Sequence, residues 1–157
     1  MANRPKQVAE LIMAIDCDKL SFTWAVVRST DLAYLLVDRN KYKLPANTPR
    51  GESLHWLYLE IQRLVREHSP DRAVLKRAEL GGRGTEASLD HAELDGVVLA
   101  ALGSTNVPST SIKWATIASR LGQGRSREGA IKTVSEMTEF RGIPNSHLSP
   151  IAAAITG

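Results

Sequence analysis

The feature that most constrains this chain is a change of period near residue 48. Before it, three strand-type runs follow one another closely: Leu11 to Asp16, Phe22 to Val27 and Leu32 to Val37. The first is almost continuously apolar, the pattern of a strand buried on both faces. Asp18-Lys19-Leu20-Ser21 and Ser29-Thr30-Asp31 are short and polar enough to be turns, so the three runs predict an antiparallel meander. Beyond residue 48, Leu54, Leu57, Tyr58, Ile61, Leu64 and Val65 recur at intervals of three and four, which places them on one helix face. Thr48-Pro49 predicts the start of this helix, as a cap followed by a first-turn proline, and Ser69-Pro70 its end.

Ala73-Val74-Leu75 then reads as a short strand. A strand reached through a helix normally runs parallel to an earlier one. A second helix is predicted from Ser88 to Leu102, stopped by Gly103, with Gly96 in its middle. A mid-helix glycine costs about 1 kcal/mol relative to alanine, and close approach of another backbone would explain it. Val107 to Ile112 is a candidate fifth strand, shortened by Pro108, and helices follow at about 114–121, 127–139 and 150–156, the last capped by Ser149-Pro150. The expectation is α/β: three antiparallel strands, then two reached through helices, in a mixed five-stranded sheet with helices on both faces. Residues 1–10 read as a polar tail and 11–157 as a single domain.

Composition narrows the class. A length of 157 residues suits one core, and 43% hydrophobic content argues against disorder over most of the chain. No apolar run approaches the roughly 20 residues that span a bilayer, and the first ten residues lack a signal-peptide core, so a cytoplasmic protein is expected. The single cysteine, Cys17, lies within a strand pattern and reads as a buried structural thiol. There are 20 Lys and Arg against 17 Asp and Glu. Their placement says more than their number. Arg120, Arg125 and Arg127 flank Leu121-Gly122-Gln123-Gly124, with Lys113 before it, Lys132 after it and Arg83 in a separate glycine-rich stretch, Gly81 to Gly84. Arg and Ser donors beside free backbone N–H groups suit a phosphate backbone as well as they suit a solvated loop. Trp56 and Trp114 are candidates for base stacking, whereas Trp24 reads as core. The nucleotide-loop, zincin, paired-CxxC and nucleophile-elbow motifs are absent.

Five segments, in order, resemble the RuvC family of Holliday junction resolvases, which have the RNase H-like fold. They are Ile12-Met13-Ala14-Ile15-Asp16, Ser69 to Leu75, Asp95-Gly96-Val97-Val98-Leu99-Ala100-Ala101, Gly122-Gln123-Gly124-Arg125-Ser126 and Ile151 to Thr156. The resemblance implies four converging carboxylates that hold two Mg²⁺ ions for phosphodiester hydrolysis. Asp16 falls on the first of these positions. Lys76 falls on the second, Ser146 and Ser149 on the third and fourth, and Glu128 where the family carries a lysine. Magnesium requires hard oxygen ligands, so these replacements predict a degenerate centre with no metal and Asp16 as a remnant. Lys76 is placed to pair with Asp16 across neighbouring strands. Asp18, Glu79 and His147 are the conceivable substitute ligands.

Three functions follow as expectations. The first is a pseudoenzyme that binds branched or duplex DNA through Arg83, Lys113, Arg125, Arg127 and Lys132. The second is a divergent Mg²⁺-dependent junction endonuclease of DNA recombination. The third is a protein-interaction subunit. The resemblance also implies a homodimer through the helix carrying Gly96.

Overall fold

The structure is a computed structural model, and it describes residues 8–79 and 85–157. Strands β1 (Glu10–Cys17), β2 (Ser21–Ser29) and β3 (Tyr34–Lys43) form the antiparallel meander. Helix α1 (Arg50–His68) leads to β4 (Arg72–Lys76), which pairs parallel to β1. Helix α2 (Glu86–Gly103) leads to β5 (Ser109–Ile112), parallel to β4. The order across the sheet is β3-β2-β1-β4-β5, so β3 and β5 are its edges. Helices α3 (Trp114–Arg120), α4 (Arg127–Glu136) and α5 (Asn145–Thr156) complete the chain, with a short 3₁₀ turn at Thr138–Phe140. This is the mixed five-stranded architecture expected of the RNase H-like fold.

The two-residue period of the central strands divides the interior. Ile12 and Ala14 of β1, Ala25 and Val27 of β2 and Val74 of β4 face α3, α4 and α5. Met13 and Ile15, Trp24 and Val26, and Ala73 and Leu75 face α1 and α2. Burial on both faces is why β1 reads as an unbroken apolar run. Among the described residues, no helix is long and apolar enough to cross a membrane.

Several boundaries differ from expectation, each for a physical reason. β3 continues to Lys43, because the charged stretch Asp38 to Lys41 alternates on an exposed edge strand, where such residues block pairing with other sheets. Leu32, placed in that strand by its hydropathy, is 97% exposed in the preceding turn. β5 contains only four residues and starts after Pro108. Pro49 is itself the cap residue of α1, while the Thr48 hydroxyl hydrogen-bonds Ser53 Oγ at 2.7 Å. Thr85 caps α2, its hydroxyl accepting from the Ser88 N–H at 3.2 Å. Gly96 admits no close backbone within the chain, since a Cβ there would meet nothing within 4 Å. The largest shift is at α5, which starts at Asn145 rather than after Ser149 and carries Pro150 inside it. Ser149 is therefore not a helix cap, and it is free to serve the site described next.

Candidate nucleic-acid interface

The register of the sheet lays Lys41, Thr23, Asp16, Lys76 and Ile112 in one row across all five strands. Asp16 and Lys76 are adjacent on parallel strands, and their side chains are 18% and 8% exposed. Lys76 Nζ lies 3.5 Å from Asp16 Oδ1, close enough for an ion pair although Oδ1 accepts no hydrogen bond. The other carboxylate oxygen, Oδ2, accepts a hydrogen bond from the Ser149 hydroxyl. The early start of α5 makes this possible: Ser149 sits in the second turn of the helix and is buried, its hydroxyl reaching Asp16 on the sheet. Lys76 also lies 5.5 Å from the centroid of the Trp114 ring, and the Arg127 guanidinium lies 5.3 Å from the same centroid. Cation–π contacts of this kind are worth about 0.5–2 kcal/mol.

A second carboxylate borders this centre from α2. Asp95 Oδ2 accepts the Ala78 N–H at 2.6 Å, and its Oδ1 faces His91 Nε2 at 3.6 Å. Burial pushes the Asp95 carboxyl above its usual range. The Ala78 hydrogen bond and the attraction of His91 oppose that rise, and the nearby Asp16 charge adds to it. Burial, with the Asp95 and Asp16 charges, likewise pushes the Cys17 thiol well above its ordinary value. A protonated, buried Cys17 has the character of packing rather than of a nucleophile.

The donor set does not suit a divalent cation. Magnesium calls for several hard oxygens free to converge. Asp16 faces an ammonium on one oxygen and a hydroxyl donor on the other, and Asp95 has one oxygen bonded to the Ala78 N–H and the other, which accepts no hydrogen bond, turned to His91. The proposed substitutes do not gather around Asp16. β1 ends at Cys17, so Asp18 lies in the exposed hairpin turn, accepting the Lys19 N–H at 2.7 Å rather than continuing the face of Asp16. Glu79 lies in the exposed loop after β4, its carboxylate 3.5 Å from the Ala115 N–H. His147 is half-buried towards Arg39 and Lys41 of β3, where burial first and those two cations second lower its pKa. Ser146 is exposed one turn before Ser149. Among the described residues, no three His, Cys, Asp or Glu side chains form a metal-ligand group.

Lys76, Glu79, His91, Trp114, Arg125 and Arg127 line one cleft of about 310 Å³. The Gly-rich turn presents two of these cations. Gly122 and Gly124 adopt φ of 72° and 63°, a backbone conformation that glycine tolerates best. Ser126 then caps α4, its hydroxyl accepting the Gly129 N–H at 2.9 Å. Of the other basic residues singled out by sequence, Lys113 lines a neighbouring cleft. Lys132 is exposed on α4 and lies 3.9 Å from Glu136, outside these clefts. Arg83 falls outside the described residues. Trp114 is 4% exposed, with Lys76 and Arg127 beside its ring, and Trp56 is partly buried against Phe22 on the α1 side of the sheet.

The fold itself is shared with known proteins. The chain superposes on Thermus thermophilus RuvC with a TM-score of 0.78 at 16% identity, covering 93% of this chain and 92% of that one. The T. thermophilus RuvC complex with its Holliday junction substrate gives 0.80 at 18% identity, over 94% and 92%. In sequence, a crossover junction endodeoxyribonuclease RuvC of Brachyspira hyodysenteriae is 22% identical over 134 residues, 84% of this chain and 83% of that protein. The chain has the fold of RuvC. More distantly, the fowlpox virus resolvase bound to Holliday junction DNA superposes with a TM-score of 0.52 at 14% identity. No protein-family profile matches the chain. By sequence alone, His91 and Arg77 had no place at this site, and Arg120 stood only as a flank of the Gly-rich turn. The i, i+4 spacing of His91 and Asp95 on α2 was the available signal for the first.

Proposed function

We propose that this RuvC-like chain binds branched or duplex DNA and does not cut it. The observation that carries the reading is the state of Asp16, with one oxygen against Lys76 and the other bonded to Ser149. A cation of the chain itself stands in the centre where the family resemblance implies metal. The cleft beside it supplies Lys76, Arg125 and Arg127, cations suited to phosphate oxygens. RuvC of T. thermophilus has been captured with a Holliday junction, which makes a four-way junction the first ligand to try. A homodimer through α2 is part of the same reading. Leu89 and Leu99 are 63% and 37% exposed on that helix, and Gly96 lies between them facing open space.

The test is a labelled four-way junction and a matched duplex, with Mg²⁺ or Mn²⁺ present or withheld, read on native and denaturing gels. The expected result is a shifted junction and no nicking, for the wild type and for Asp16→Asn alike. Metal-dependent nicking lost in Asp16→Asn would make the protein a working nuclease. Absence of any shift at low salt would remove DNA as its partner.

A further inference from the structure

Two further clefts lie beside the one at Lys76, and both are strongly basic. The first is bounded by Arg77, Thr110, Ser111, Lys113, Thr116 and Arg120. The second shares Thr116 and Arg120 with it and continues through Ser119 and Gly124 to Arg125. Arg125 also lines the Lys76 cleft, so the three join end to end. The path runs from the Asp16 centre, over the outer face of α3, to the edge strand β5.

The local sequence builds this path. Helix α3 buries Trp114, Ile117 and Ala118 and leaves Ala115, Thr116, Ser119 and Arg120 exposed. Its outer face therefore carries only small or hydroxyl side chains between two cationic ends, leaving room for a chain to lie close. Arg120 is held in place, its guanidinium donating to the Thr156 carbonyl. Neither cleft is lined by an Asp or Glu side chain, though Gly157, the last residue of the sequence, also borders the first. Among the described residues, Arg77, Lys113, Arg120 and Arg125 form no ion pair with a carboxylate, whereas Arg50, Arg63 and Arg72 all do. A row of unpaired cations interleaved with hydroxyl donors is chemistry for successive phosphates.

We infer that the α3–β5 groove holds a nucleic-acid strand by its phosphodiester backbone, extending the interface from the Asp16 centre out to Arg77. This inference rests on the DNA-binding reading and deepens it, adding Arg77, Thr116 and Arg120 to the interface. Binding here is through phosphates, so it is indifferent to base sequence and strongly dependent on salt.

The experiment uses the full chain and a fluorescent four-way junction, with affinity measured between about 50 and about 200 mM salt. Wild type is compared with the double variant Arg77→Gln/Lys113→Gln and with Arg28→Gln/Arg66→Gln, whose cations lie outside the groove. Each phosphate that is no longer neutralised reduces the slope of log affinity against log salt by about 0.9. The expected result is a slope shallower by about 1.8 for the groove variant and unchanged for the control, with circular dichroism unaltered in both. If the wild type binds and the groove variant keeps its slope, the groove assignment is overturned while DNA binding stands. If the wild type binds no junction at low salt, both readings fall together.

Discussion

At the Asp16 centre, the charged groups are answered from within the chain. Asp16 has Lys76 and Ser149, and Asp95 has the Ala78 N–H and His91. Around α3 and the Gly-rich turn they are left open: Lys113, Arg120, Arg125 and Arg127 have no carboxylate partner among the described residues and line connected clefts. The first arrangement uses its electrostatics to hold β1, β4 and α5 together. In the second, Arg120 donates to the Thr156 carbonyl and Arg127 packs on the Trp114 ring, but none of the four meets a carboxylate of the described residues, so their charge is available to an external anion.

The sharpest way to break this comparison is to reopen the centre. Lys76→Glu, Ser146→Asp and Ser149→Asp together put carboxylates at the three positions where the family resemblance implies them. The variant is expected to be less stable than wild type without metal, since four acids then converge, and to gain thermal stability on adding Mn²⁺ or Mg²⁺. Ligand binding to the folded state at 100 times Kd contributes about 2.7 kcal/mol. The wild type is expected to show no such gain. A thermal shift of equal size in both proteins would mean that the wild-type centre already binds the cation.

A smaller effect separates the two regions by stability. Lys76→Ala leaves Asp16 without its cation at a site only 18% exposed, and unfolding in urea is expected to show a loss of about 2–3 kcal/mol, somewhat below the usual cost of breaking a fully buried pair. Removing both charges, as Asp16→Asn/Lys76→Met, is expected to recover most of that loss. Arg125→Ala, on the open side, is expected to stay within about 0.5 kcal/mol of wild type while weakening DNA binding. Equal destabilisation by Lys76→Ala and Arg125→Ala would erase the distinction between the regions.

The sequence shows the sheet and hides the centre, for reasons that particular residues make clear. β1 and β2 are legible because burial on both faces leaves no alternative to an apolar run, and α1 because its stripe from Leu54 to Val65 holds one period. β3 is half-hidden because Asp38 to Lys41 pair through their backbones while their side chains face water. The pairing of Lys76 with Asp16 can be anticipated, as it follows from adjacent parallel strands. The part played by Ser149 cannot, because serine followed by proline is a strong local helix-start signal. Tertiary packing overrides it: Leu148, Ile151 and Ala152 all bury against the sheet when α5 starts one turn earlier. The groove over α3 is equally illegible, since Arg77 follows β4 and joins Arg120 only through the packing of β5 against β4 and of α3 behind it.

The smallest effect tests a third location, the β3 side of α5, where His147 faces two cations instead of a carboxylate. Burial, then Arg39 and Lys41, hold its pKa below the usual 6.5. As pH falls through about 6.5, the unfolded chain takes up this proton first, so stability contributed by neutral His147 is present above that value. It is lost progressively as pH falls towards the folded-state pKa. His147→Gln is therefore expected to leave stability unchanged at about pH 7.5 and to flatten part of the decline towards about pH 5, read as the urea midpoint at each pH. Because burial is the larger cause, Arg39→Gln/Lys41→Gln is expected to flatten it less than His147→Gln does. If the charge-removing pair has the greater effect, then repulsion outweighs burial at His147. In that case the β3 edge would be a second face of unanswered cations, and the contrast drawn between the Asp16 centre and α3 would extend around both sides of α5.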